Sequence, residues 1–156
     1  MKNSIKLVIA ILVSELAGII GSVFSVSAIP SWYAVLEKPA LNPPGWIFGP
    51  VWVTLYALMG IASFLVWKRG WNRVDVRNAL YIFGLQLVLN ATWSIVFFGL
   101  QSPGWAFVNI VAMWLAIVWT MTVFYKISKP AMWLLLPYIL WVSFASYLNL
   151  MIWILN

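Results

Sequence analysis

Five long apolar segments decide what this chain can fold into. A helix of about 20 apolar residues crosses the hydrocarbon core of a bilayer. Segments of that length lie at about 5–25, 46–67, 79–100, 104–125 and 131–155. Only 8% of the 156 residues are charged and 65% are hydrophobic, whereas about a quarter of the residues in a soluble domain are charged. The sequence therefore predicts an all-α integral membrane protein with a single domain over residues 1–156, folded as a five-transmembrane-helix bundle.

The basic residues are distributed unequally between the two ends of these helices. One side carries eight of them: Lys2, Lys6, Lys68, Arg69, Arg73, Arg77, Lys126 and Lys129. The other side has only Lys38, in the long loop between helices 1 and 2. Because basic loops tend to stay in the cytoplasm, we expect the N-terminus inside, the C-terminus outside, and this loop capping a pocket at the outer end of the bundle. The net charge of +6 is then a topology signal and not a nucleic-acid site. The short N-terminus without an Arg-rich presequence favours a bacterial cytoplasmic membrane.

The stretch from Trp32 to Gly60 joins a stiff loop to a helix rich in aromatic residues. Pro43-Pro44 fixes two successive φ angles at about −65°, so the chain arrives extended and helix 2 can begin only from the second proline onward. Trp46, Trp52 and Tyr56 then follow on that helix. A plain membrane anchor requires none of these features, which indicates that the aromatic side chains are being positioned.

Polar side chains inside the apolar segments show which helix faces point into the bundle. Gln86, Asn90 and Trp93 are spaced i, i+4, i+7 and share one face of helix 3, and amides in lipid must find partners. Trp52 and Trp93 lie at similar depths, about 9 and about 10 Å from the same membrane surface. Helix 5 contributes two more such side chains, Trp141 and Asn149. Indole rings beside amides suit a large planar aromatic ligand, and a close-packed aromatic core explains the same pattern equally well.

Glu15 is the only acidic residue in the body of a predicted helix. It lies about 15 Å along helix 1, near the membrane midplane, where an ionisable group is by default a functional hypothesis. The alternative is a protonated side chain that hydrogen-bonds inside the bundle and fixes helix packing. The chain has no Cys and no His, which excludes disulfides, zinc sites and the usual haem ligands, so we expect no metal site.

Three groups of residues resemble the translocator protein family, whose bacterial members are called tryptophan-rich sensory proteins and whose older name is peripheral-type benzodiazepine receptor. The first group lies in Trp32–Gly60, with Trp32-Tyr33-Ala34, Asn42-Pro43-Pro44 and Pro50-Val51-Trp52. The second lies in Gln86–Gly99 and the third in Leu136–Asn149. Together they extend over nearly the whole chain, with the length and helix number of the family.

The resemblance implies a five-helix bundle, commonly a homodimer, with a pocket open toward the helix 1–2 loop. Members bind porphyrins, especially protoporphyrin IX, and benzodiazepine-type drugs, and bacterial members are linked to light- and oxygen-dependent porphyrin degradation with no metal or other cofactor. The two tryptophans linked to that reaction match Trp52 and Trp141. The family's pocket contacts match Trp32, Tyr33, Pro44, Trp46, Asn90, Trp93, Ala145 and Leu148, to which our own analysis of the helices adds Tyr56 and Asn149. The cholesterol pattern of animal members is absent, because Leu150 stands where they have Tyr.

Three other functions are compatible with parts of this pattern. A porphyrin sensor or carrier would need the same pocket but no turnover. A small proton-coupled transporter would use Glu15, although that class has four helices and a balanced charge distribution. A purely structural membrane scaffold would not explain the polar and aromatic face that carries Asn90 and Trp93, nor the stiff proline loop.

Overall fold

The computed structural model describes residues 1–156, which form helices and no β-strand. The elements are α1 (Asn3–Ala28), a 3-10 turn (Gly45–Ile47) leading into α2 (Phe48–Trp67), α3 (Val74–Ser94) continued by a π-helical segment (Ile95–Gly99), α4 (Pro103–Ile127), α5 (Lys129–Leu134) and α6 (Leu136–Leu155). These elements make five spans that are long and apolar enough to cross a membrane, the last of them formed by α5 and α6. The predicted five-helix bundle is confirmed.

Two boundaries differ from the prediction for physical reasons. Helix α3 begins at Val74, five residues before the predicted start at 79, because its first turn is polar: the Asp75 carboxylate accepts the Val76 N–H at 2.9 Å. An acidic residue at a helix N-terminus is stabilising, and hydropathy alone does not detect it. The fifth span, predicted as one helix, is two helices that meet at Leu135. Pro137 lacks an N–H, so it is accommodated in the first turn of α6 instead of inside a continuous helix.

The half of the bundle that contains the N-terminus and the α2–α3 and α4–α5 connections is closed. Here α1 and α2 touch backbone to backbone, since a Cβ on Gly60 would lie 2.5 Å from the Ile11 Cα. Helix α2 also packs closely on α5. The side chains in the interior of this half are almost completely buried, among them Met59, Ala62, Val66, Val76 and Phe124. We call this part the closed half.

The other half, beneath the loop between α1 and α2, is open inside, and we call it the cavity half. Helix α2 separates from α6 here, after packing on α5, because the break at Leu135 lets the chain change direction between α5 and α6. Helix α1 faces α2 across the ring of Tyr56: a Cβ on Gly18 would lie 2.5 Å from Tyr56 Cε2. The cavity half therefore begins where Tyr56 stands between the two helices.

The loop from Ile29 to Pro44 lies over the end of the cavity half. The Tyr33 ring, in a short 3-10 turn (Tyr33–Val35), contacts Phe98 at a centroid distance of 6.0 Å, and its hydroxyl donates to Asn42 Oδ1 at 2.9 Å. Burial raises the pKa of the Tyr33 phenol above its ordinary value, and the hydrogen bond to Asn42 opposes that shift. The loop is also held to the C-terminus, because Glu37 N–H donates to Asn156 Oδ1 at 3.1 Å and Asn156 Nδ2 donates to Glu37 O at 2.9 Å. The predicted loop position over the bundle is thus produced by specific contacts.

A candidate ligand cavity

The interior of the cavity half contains a cavity of about 400 Å³. Residues of α1, α2, α3 and α6 form its walls, and Tyr33 of the loop forms part of its roof. Its lining is mostly apolar, and its volume is in the range of small-molecule sites, about 300–1,000 Å³. The side toward α1 and α2 is open: Val26 and Val53 line the cavity and are 71% and 59% exposed. In a bilayer this opening faces the lipid.

Nine of the twelve predicted site residues line this one cavity. They come from the loop and three helices: Tyr33, Trp52, Tyr56, Asn90, Trp93, Trp141, Ala145, Leu148 and Asn149. The structure thus brings together residues that are up to 116 positions apart in the sequence, from Tyr33 to Asn149. Whether they contact a ligand stays a prediction.

The other three predicted site residues do not line the cavity. Trp32 packs edge-on against Phe97 at 5.5 Å and borders a separate surface cleft. Trp46 is 75% exposed at the start of the second span, and Pro44, also exposed, precedes it. The stiff Pro43-Pro44 segment sets where the second span begins, and that position turns the indole of Trp46 outward, as expected for a tryptophan at a membrane interface.

Aromatic side chains of α2 and α6 meet and together form one side of the cavity. On α2, Trp52 stacks on Tyr56 with ring centroids 5.5 Å apart and planes at 28°. Trp52 also meets Tyr138 of α6 edge-on at 6.3 Å, and Trp141 of α6 meets Phe48 of α2 edge-on at 6.1 Å. The rings of α2 and α6 therefore pack against one another, and the indoles of Trp52 and Trp141, on these two helices, line the same cavity.

The floor of the cavity is a chain of hydrogen bonds between buried side chains. Tyr56 donates its hydroxyl proton to Asn90 Oδ1, and Asn90 Nδ2 donates to the Tyr138 hydroxyl at 2.8 Å. Tyr138 in turn donates to Gln86 Oε1 at 2.7 Å. Polar groups in a membrane interior must be paired within the protein, and these hydrogen bonds pair them across α2, α3 and α6. The side-chain amide of Asn90, predicted as a ligand contact, therefore already makes hydrogen bonds to α2 and α6 within the protein.

A second pair of side chains closes the upper part of the cavity. Trp93 Nε1 donates to Asn149 Oδ1 at 2.9 Å, and Asn149 Nδ2 donates to Pro103 O at 2.8 Å. Trp93 also stacks on Phe97 at 5.0 Å, which joins it to the aromatic cluster beneath the loop. By contrast, Trp141 Nε1 is buried and has no hydrogen-bond acceptor. This N–H is enclosed by protein atoms, so a ligand could reach it only if the Trp141 side chain moved.

Helix α1 contributes a cavity wall that was not predicted from the sequence. Gly18, Gly21, Ser22 and Ser25 line the cavity, and so does Glu15. The spacing of small residues along helix 1 was the available signal, but such spacing is typical of close helix packing. Both uses occur: Gly18 accommodates the Tyr56 ring, and the same side of the helix then forms the cavity wall.

These features define an integral membrane protein of five spans with an aromatic-lined cavity beneath a long loop. The family model described as the TspO/MBR family matches residues 10–154. The chain is 44% identical over 155 residues to the tryptophan-rich protein TspO of Chlorobaculum tepidum, covering 99% of this chain and 98% of that protein. It is also 44% identical to the tryptophan-rich protein TspO of Archaeoglobus fulgidus, covering 99% of each chain. The translocator protein of Bos taurus is 37% identical over 144 residues, 91% of this chain and 85% of that protein. The chain belongs to the TspO/MBR family.

Proposed function

We propose that the cavity binds porphyrins, with protoporphyrin IX as the expected ligand, as well as planar hydrophobic drugs of the benzodiazepine type. We further propose that bound porphyrin is degraded in the presence of light and oxygen, with Trp52 and Trp141 as the residues in contact with the reacting macrocycle. The observation that carries the proposal is that these two indoles line one cavity. No metal or other cofactor is required.

The shape and chemistry of the cavity support a flat aromatic ligand. Its lining includes the aromatic rings of Phe48, Trp52, Trp93 and Trp141, and aromatic groups prefer to stack or to meet edge-on. The opening between α1 and α2 leaves room for the edge of a macrocycle that extends beyond the enclosed volume.

The electrons in the proposed reaction balance without a protein cofactor. Light excites the porphyrin, and an indole in contact gives the excited ring one electron. Oxygen then takes an electron from the reduced ring and becomes superoxide. The indole radical regains its electron from the porphyrin, which is left oxidised and open to attack by oxygen species. Porphyrin is the net reductant, oxygen is the net oxidant, and both tryptophans are regenerated.

The double variant Trp52→Phe/Trp141→Phe tests this mechanism. Phenylalanine keeps an aromatic wall but is a much poorer electron donor, so protoporphyrin IX should still bind in the dark. Under light, the loss of its Soret absorbance should slow by at least about tenfold, a barrier change of about 1.4 kcal/mol. The matched control is Trp119→Phe/Trp133→Phe, which removes two exposed indoles outside the cavity. Equal bleaching rates in the double variant and the wild type would contradict the mechanism.

A sensor or carrier without turnover is the second candidate function. The lateral opening between α1 and α2 favours it, because an unchanged ligand could enter and leave through the lipid. The same illumination experiment separates the two functions: a Soret band that is stable while the dark titration saturates indicates a sensor or carrier.

We propose the membrane arrangement from the charge distribution and the family resemblance. The eight basic residues on the side of the closed half support a bacterial cytoplasmic membrane with the N-terminus inside and the C-terminus outside. The cavity half then faces outward. A homodimer is expected by resemblance, and the exposed apolar face of α1, which includes Leu12, Leu16 and Val23, offers surface for a second copy or for lipid.

A further inference from the structure

Glu15 lies at the end of the cavity nearest the closed half. Ile11, Glu15, Gly18 and Ser22 are spaced i, i+4, i+7, i+11 and share one face of α1. Ile11 marks the point where α1 touches α2 at Gly60, and Gly18 marks the point where it meets the Tyr56 ring. The Glu15 side chain lies between these two levels and lines the cavity. The one acidic residue in the body of a membrane span is therefore part of the cavity wall.

The protein supplies no partner for this carboxyl group. None of the residues that line the cavity is Lys or Arg, and the one ion pair in the chain joins Arg73 to Asp75, in the closed half. Tyr56, the phenol that faces α1 at Gly18, donates its proton to Asn90 and not to Glu15. An acidic group in a membrane interior is costly without a counter-charge or hydrogen-bond donors. A positively charged ligand group would remove that cost.

We propose that Glu15 is a specificity residue of the cavity and accepts the protonated amine or amidinium of a planar aromatic ligand. This proposal rests on the proposed function, because it uses the same cavity and the same flat walls. It adds a negatively charged acceptor to the weaker cation–π attraction that the aromatic lining exerts on a cationic ligand. A porphyrin would have to bind with its carboxylates away from Glu15, toward the loop that carries Lys38, the one basic residue on that side of the protein.

The experiment compares two ligands with the same ring system. Acridine is neutral at neutral pH, whereas 9-aminoacridine is a cation, and both can be titrated by quenching of tryptophan fluorescence in a nonionic detergent. The wild type should bind the cation more tightly than the neutral ring, although the protein has a net charge of +6 that opposes this preference. Glu15→Gln should weaken 9-aminoacridine by at least about tenfold, as expected for a lost hydrogen bond to a charged group, and should change acridine by less than about twofold. The matched control is Glu37→Gln, which removes the same charge from an exposed loop position outside the cavity.

The outcomes distinguish a failure of the Glu15 inference from a failure of the proposed planar-ligand cavity. If Glu15→Gln weakens both ligands equally or neither of them, Glu15 has no role in charge selection and the inference is wrong, while acridine binding by the wild type still supports the cavity. If the wild type binds neither ligand, the proposed planar-ligand cavity fails and the inference fails with it. Should Glu15→Gln not fold, the wild-type preference decides: no preference for the cation over acridine would overturn the inference.

Discussion

The closed half and the cavity half belong to one helix bundle, but the interior of the first is tightly packed and the interior of the second is open. In the closed half, α1 and α2 meet at Gly60, α2 packs on α5, and residues such as Met59 and Phe124 are fully buried. In the cavity half, α2 and α6 are in contact mainly through aromatic side chains, and the interior between the helices is an open cavity lined by aromatic rings. The chain of hydrogen bonds from Tyr56 to Gln86 separates the two.

The difference shows where stability and binding are located. Buried polar groups at the floor are paired with one another, so they hold α2, α3 and α6 together. At the end of the cavity nearest the closed half, by contrast, the Glu15 carboxyl has no cation in the protein. A group that the protein leaves without a partner is available to a ligand. Rigid packing in one half thus allows an open site with a free polar group in the other.

The largest expected effect on stability comes from forcing α1 and α2 apart in the closed half. In Gly60→Ala, the added methyl group would lie 2.5 Å from the Ile11 Cα, so backbone has to move. Overpacking of this kind costs about 1–3 kcal/mol, and we expect a lower midpoint of thermal unfolding in detergent. The matched control is Gly84→Ala, where the Cβ has no atom within 4 Å. A loss of stability no greater than in Gly84→Ala would contradict the backbone contact.

A smaller effect is expected from breaking the floor between the halves. Asn90→Leu keeps the number and branching of the side-chain heavy atoms but leaves the Tyr56 hydroxyl without its acceptor and removes the donor to Tyr138. The free energy of unfolding should fall by about 1–2 kcal/mol, since hydrogen bonds between membrane helices contribute modestly. Asn109→Leu serves as comparison, because that half-buried amide makes one side-chain bond, to Leu89 O at 2.9 Å. If Asn109→Leu is the more damaging change, the network does not join the halves.

The smallest effect concerns the loop above the cavity and depends on pH. The pKa of Tyr33 is raised by burial, so the folded loop favours the neutral phenol. Its contribution is fully present below the ordinary value of 10.0 and is lost as the pH rises through the raised pKa. Hydrogen exchange in residues 29–44 should therefore accelerate above about pH 10 beyond its intrinsic increase. In Tyr33→Phe this additional acceleration should be absent, and its persistence would show that another group controls the loop.

Most of the fold follows from features that are visible in the sequence. Five apolar segments are enough to predict five spans, because lipid leaves helices as the only option for such segments. The early start of α3 depends on Asp75 and the break at Leu135 depends on Pro137, and hydropathy detects neither. Both are local effects of single residues.

The candidate site could be predicted only in part. Trp52 and Asn90 could be assigned to the interior from their depth and helical spacing, because a polar or large aromatic side chain there needs a partner. The wall on α1 could not, since Gly18 and Ser22 have the spacing of ordinary helix packing, and only the divergence of α2 from α6 turns that face into a cavity wall. The outward position of Trp46 likewise depends on where the proline loop enters the bundle.

The most direct test is to fill the cavity without disturbing the rest of the protein. Gly49 lines the cavity, and a Cβ there has no atom within 4 Å, so Gly49→Phe places a ring in open space. Gly84→Phe is the matched control, because Gly84 has equal room but lies outside the cavity. Protoporphyrin IX would be titrated in the dark by quenching of tryptophan fluorescence. We expect Gly49→Phe to raise the Kd by at least about tenfold, or about 1.4 kcal/mol, and Gly84→Phe to leave it unchanged. Equal, wild-type binding by both variants would show that porphyrin binds elsewhere and would contradict the central claim.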